Sequence, residues 1–161
     1  GSSGVTVIHE LQVFGSPSSS SPPSYSTLAE TNHLSGDDAL PEADPNHNGI
    51  SNLLEYALGG NPVDPAAAVA ILPAFQVTSG ESGFSFTRYR DRTDIDLSVE
   101  ASLDLIAWTE IARSTRGGAF TTSTAGISVI ESGSGNGVPV QVKIAAVPAA
   151  SSRFLRLKVI P

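Results

Sequence analysis

Hydrophobic and polar positions change regime three times along the chain. Residues 5–14 (VTVIHELQVF) are rich in β-branched side chains and predict one strand. Val5, Val7, Leu11 and Val13 share a face, with His9 interrupting the run. Residues 15–26 (GSPSSSSPPSYS) have no period, and their Ser and Pro content predicts an extended linker. A strand isolated in this way must pair with something. It is expected to close an upstream domain, fold back, or insert into a neighbouring molecule.

The second regime has helical spacing. Residues 27–34 (TLAETNHL) predict a short helix capped by Ser26 or Thr27, and residues 35–38 (SGDD) a turn. Ile50, Leu53, Leu54 and Leu58 then recur at helical intervals, with Tyr56 and Ala57 alongside. Gly59-Gly60 followed by Pro62 is a helix stop. Pro62, Pro65 and Pro73 mark a connector.

From about Leu72 the period falls to two. Strands are expected at 74–78, 83–90, 95–102, 108–113, 120–131, 139–145 and 154–160. Phe84 and Phe86 alternate with Ser85 and Thr87, and Leu97 and Val99 with Ser98 and Glu100. Turn signals separate them at 91–94, at Gly117-Gly118 and at 132–137 (SGSGNG). The expected fold is therefore mainly β: an antiparallel β-sandwich of about seven strands after a short helix–loop–helix. The expected divisions are strand 1–14, linker 15–26, helix–loop–helix 27–62, connector 63–73 and sandwich 74–161.

Between the two predicted helices lies the stretch that carries chemistry, Asp44-Pro45-Asn46-His47-Asn48-Gly49-Ile50-Ser51-Asn52-Leu53-Leu54-Glu55. It fits the twelve-residue calcium-loop pattern D-x-[DN]-x-[DN]-G-x5-E. Calcium takes six to eight oxygens at about 2.3–2.6 Å. Asp44, Asn46 and Asn48 would supply side-chain oxygens, Ile50 its carbonyl, and Glu55 both carboxylate oxygens; Gly49 permits the turn. The alternative without metal is an Asn/Gly turn leading into a helix cap. With Asn at positions 46 and 48, only two formal negative charges face the ion, which predicts a weak site with a Kd on the order of 10⁻⁴ M.

Composition narrows the partners. The 161 residues include nine Lys plus Arg against sixteen Asp plus Glu, for a net charge of −7. Nucleic acid is not an expected partner, because phosphate contacts need clustered basic residues. No run is long and apolar enough for a membrane helix, and no stretch reads as a signal peptide. Without Met, residue 1 is not expected to be a translational start, and the chain reads as a fragment or a processed product. Absence of Cys removes disulfides and thiolate sites. A Ser/Thr/Gly-rich, Lys-poor chain with a weak calcium loop points to the extracellular space or cell surface of a bacterium, where calcium is millimolar.

Two stretches together, residues 34–62 (LSGDDALPEADPNHNGISNLLEYALGGNP) and residues 84–159 from FSFTRYR through DLSVEASLDLIAWTEI to RFLRLKV, resemble the C-terminal region of large secreted or surface proteins of Verrucomicrobia and related bacteria. There, a calcium repeat like that of thrombospondin type 3 or dockerin precedes a small β-sandwich. The resemblance implies calcium ligands at Asp44, Asn46, Asn48, Ile50 through its carbonyl, and Glu55, with Asn52 at the ninth position acting through water if at all, and no known catalytic activity. Residues 5–15 also resemble the last strand of a discoidin-type jelly roll.

Other candidate chemistry reads as structural. His9, His33 and His47 are scattered, and the fourth loop position of His47 points outward, so a zinc site is not expected. Arg88, Arg90, Arg92, Asp91, Asp94 and Asp96 are expected to form a solvated hairpin with cross-strand ion pairs. Residues 133–137 lack the Lys and helix of a phosphate loop and read as a flexible tip. Trp108 is expected in the core rather than stacked on a sugar, and Asp37 and Asp38 as helix caps. The function expected is a non-enzymatic extracellular module stabilised by calcium. The alternatives are a filament or surface-assembly subunit joined by strand addition of residues 5–14, and a carbohydrate-binding sandwich using Trp108 and nearby tyrosines.

Overall fold

A computed structural model describes residues 23–67, 71–78, 81–145 and 154–161. The expected strand 5–14 and most of the Ser/Pro linker lie outside the described residues. Seven strands form two antiparallel sheets. One sheet has the order β1-β2-β6-β5, from Ala74–Thr78, Glu81–Tyr89, Gly137–Ala145 and Ile127–Glu131. The other has the order β4-β3-β7, from Thr109–Thr115, Asp96–Ser102 and Phe154–Ile160. Among the described residues no helix is long and apolar enough to cross a membrane.

Alternation places the core between the sheets. Phe84 lies opposite Val142 and Phe86 opposite Val140, and all four are buried, while Ser85 and Thr87 turn away. Leu97, Val99, Ile111 and Ala112 answer from the other sheet. Ile111 and Ala112 are adjacent yet both buried. The reason is a bulge: Val99 pairs with Ala112 but Glu100 with Glu110, leaving Ile111 as the extra residue. Phe86 and Phe120 stack edge to face with centroids 5.4 Å apart.

Two helices precede the sheets. Helix α1 spans Tyr25–Thr31 and not 27–34; Ser24 is its cap, its Oγ accepting the Thr27 amide at 3.3 Å. A 3₁₀ turn at Gly36–Ala39 has Ser35 as its cap residue, and Asp37 and Asp38 sit in its first turn rather than capping it. Helix α2, Asn52–Leu58, ends at Gly59 with φ +78°. Its Tyr56, Ala57 and Leu58 are buried in the same cluster as the sheet residues, so helix–loop–helix and sandwich share one core.

The charged segment 88–96 crosses from β2 in one sheet to β3 in the other rather than forming a hairpin, and it holds the helices to the sheets. Arg92 Nε donates to the Tyr56 carbonyl at 3.0 Å, capping the C-terminal end of α2, and its guanidinium lies 4.5 Å from the Tyr56 ring centroid. Asp94 accepts the Tyr25 amide at 2.8 Å and the Tyr56 hydroxyl at 2.5 Å. The same hydroxyl lies 2.8 Å from the Pro23 carbonyl oxygen. Burial, and then the bond to Asp94, hold the Tyr56 pKa above the ordinary phenol range. Arg88 is buried, 3 % exposed, and forms a two-pronged pair with Glu131 at 2.7 Å for each bond. The expected solvated hairpin is thus corrected. Arg88, Arg90, Arg92 and Asp94 reach partners remote in sequence; of the expected ion pairs, Asp96 meets Arg113 across β3 and β4 at 2.7 Å, and Asp91 meets the adjacent Arg92 at 3.1 Å. The 132–137 turn is likewise tied down: Arg90 donates to the carbonyls of Gly133, Ser134 and Gly135.

Candidate metal centre

The loop between the 3₁₀ turn and α2 folds around its own side chains. Asp44 accepts the Asn48 amide at 3.1 Å through Oδ1 and the Gly49 amide at 2.8 Å through Oδ2. Asn46 Oδ1 accepts the Asn48 amide at 3.1 Å, and Asn48 Oδ1 the Ile50 amide at 2.8 Å. These are Asx turns, in which a short side chain stands in for the main chain. Gly49 supplies the reversal with φ +84°, and a side chain there would meet open space, so backbone conformation is the reason for glycine. His47 has φ +56° and is exposed, as its position in the loop predicts.

Helix α2 brings Glu55 under this loop. Asn48 Nδ2 donates to Glu55 Oε1 at 2.8 Å, and Asn46 Nδ2 to the same oxygen at 3.2 Å. Asp44, Asn46, Asn48 and Glu55 therefore form one hydrogen-bonded network. The Ile50 side chain is buried, leaving its backbone to contribute. Two further oxygens face the network: Asn46 Nδ2 lies 3.0 Å from the Asn61 carbonyl and 3.4 Å from that of Asp64. Sequence reasoning missed both, because a carbonyl carries no residue signature. The available signal was the pair Asn61-Pro62 and Asp64-Pro65, since proline forces the residue before it out of the helical region.

Glu55 is the chemically distinctive member. It is 0 % exposed, and its Oε2 has no hydrogen-bond partner. Among the described residues no arginine or lysine forms an ion pair with it. A buried acceptor left without a hydrogen bond costs about 1–3 kcal/mol, and more when the group is charged. A hard cation among these oxygens would satisfy it, and the two asparagine amides could rotate to present Oδ1 in place of Nδ2. The residues thus fit an oxygen-binding ion. Among the described residues no group of three or more His, Cys, Asp or Glu gathers; the atoms around Glu55 are those of carboxylate, amide and carbonyl groups.

Asn52, expected to reach the ion through water, is placed differently. It is 0 % exposed, and its Nδ2 donates to the carbonyls of Asp38 and Leu40 at 2.8 and 3.0 Å. It clamps the start of α2 to the 3₁₀ turn.

Trp108 is not core as expected; it is half-buried, because it belongs to the β3–β4 loop, where its Nε1 donates to Leu105 O at 3.3 Å. Arg156 covers one ring face, 4.1 Å from the centroid. Tyr56 and Tyr89 instead flank Arg92, and Tyr25 packs on Tyr56 with centroids 6.0 Å apart. His33 and His47 are exposed, and His9 lies outside the described residues. No protein-family model matches the chain, and no curated protein matches it.

Proposed function

We propose that this chain is a non-enzymatic structural module of an extracellular or surface protein, stabilised by a calcium ion at the loop. Asp44, Asn46, Asn48, the Ile50 carbonyl and Glu55 would hold the ion. The observation that carries this reading is Glu55, buried with one carboxylate oxygen unpartnered beneath a loop of oxygen donors. The ion would neutralise that carboxylate and fix α2, whose Tyr56, Ala57 and Leu58 already belong to the sandwich core.

The mechanism is linkage: an ion that binds only the folded loop stabilises the fold by RT ln(1 + [ion]/Kd). At millimolar calcium and a Kd on the order of 10⁻⁴ M, this is about 1.4 kcal/mol. Calorimetric titration of the whole chain with calcium, paired with light scattering with and without chelator, tests it. One calcium per chain, an unchanged monomer mass and loss of binding in Glu55→Ala are the expected results. No binding at millimolar calcium overturns the reading, and calcium-dependent oligomers replace it with assembly.

A further inference from the structure

We infer that the ion is also held from outside the twelve-residue loop, by the main-chain carbonyls of Asn61 and Asp64, so that binding fastens the connector after α2 to the loop. The inference rests on the calcium reading of the same site.

Three oxygens converge on the single amide nitrogen of Asn46: Glu55 Oε1 at 3.2 Å, Asn61 O at 3.0 Å and Asp64 O at 3.4 Å. A point that attracts three acceptors, one of them on a buried carboxylate, is a point of negative potential. The amide donor answers it with two hydrogens, and a divalent cation would answer it more fully. The loop alone gives about six oxygens, with two from Glu55 and one from each other ligand. That is the lower end of the calcium range, and the two connector carbonyls extend it.

The connector is built to hold these carbonyls in place. Asn61 Oδ1 accepts the Val63 amide at 3.1 Å, and Asp64 Oδ1 accepts the Ala66 amide at 2.9 Å. Asp64 N also donates to Asn61 O at 3.1 Å, closing a turn. Pro62 and Pro65 follow the two carbonyls and keep each preceding residue out of the helical region, and the Asn61 oxygen keeps a second lone pair beside the one that accepts the Asp64 amide. Pro62 is buried, which anchors the turn.

Carbon-detected NMR on the labelled full chain tests this directly, since carbonyls that precede proline have no following amide proton. On calcium addition, the Asn61 and Asp64 carbonyl signals are expected to shift in step with the Glu55 carboxyl carbon. The Val63, Asp64 and Ala66 amides are expected to exchange about tenfold more slowly. If the Glu55 carboxyl responds while the two carbonyls and three amides stay unchanged, the inference fails and the loop site stands. If no signal in the loop or the connector responds, both fail together.

Discussion

Replacing Arg88 by Met isolates the energetics of the buried pair at the end of the sandwich. Arg88 is 3 % exposed; it donates twice to Glu131 at 2.7 Å and once to the Gly117 carbonyl at 2.8 Å. Glu131 Oε1 also accepts the Phe120 amide at 2.8 Å. Removing the guanidinium strands a carboxylate of which only 18 % of the side chain is exposed. Breaking one side of such a pair costs about 3–5 kcal/mol, against about 0–1 kcal/mol for an exposed pair. With a urea slope of about 2 kcal/mol per M, the midpoint is expected to fall by about 2 M. The double variant Arg88→Met/Glu131→Gln removes the stranded charge but keeps an acceptor for Phe120, and is expected to cost only about 1–2 kcal/mol. Urea unfolding of the two singles and the double gives the coupling. A cost below about 1 kcal/mol for Arg88→Met, or strict additivity in the double, would refute the reasoning. The pair has a pH signature as well. The bonds from Arg88 hold the Glu131 carboxyl below its ordinary value of 4.5, despite burial. Its contribution is complete above pH 4.5 and is lost as the pH falls through the depressed folded value, because the unfolded chain takes up the proton first. Glu131→Gln is expected to lose that part of the acid dependence.

Asn52→Ala frees the carbonyls of Asp38 and Leu40 and is expected to cost about 1–3 kcal/mol in thermal unfolding while leaving the calcium Kd unchanged; a weakened Kd would return Asn52 to the ligand set. Gly59→Ala forces a left-handed alanine whose Cβ would meet the Tyr89 ring, and is expected to cost more than about 1 kcal/mol in the same assay, which an unchanged melting temperature would contradict.

Legibility in the sequence followed the range of the interaction. Ala74–Thr78 and Phe154–Ile160 are found with the expected bounds, because the strand signal is carried by neighbouring side chains. Residues 120–131 read as one strand, but only Ile127–Glu131 forms one. Thr122 intervenes: its Oγ1 donates to the Ile111 carbonyl at 2.6 Å and accepts the Thr124 amide at 3.1 Å, a local turn that competes with the ladder. The start of α1 was ambiguous because serines flank Tyr25, and Asp94, 69 residues away, binds the Tyr25 amide. Loop residues from Asp44 to Glu55 were legible as a set, since their spacing is the motif itself. The burial of Glu55 was not, since it depends on the connector and the sandwich closing over α2. The roles of Arg88, Arg92 and Asp94 depend on partners remote in sequence, and no local pattern distinguishes them from a solvated hairpin.

The contacts of β3 also govern how the molecule would carry tension. Pro23 is held by the Tyr56 hydroxyl, which binds Asp94; two residues later Asp96 pairs with Ile160, beside the last residue of the chain. Both attachment points thus lie at one end of β3. A pull between them would load β7 from Ile160 inward and open its pairs with β3 one at a time, like a zipper, rather than shearing them together.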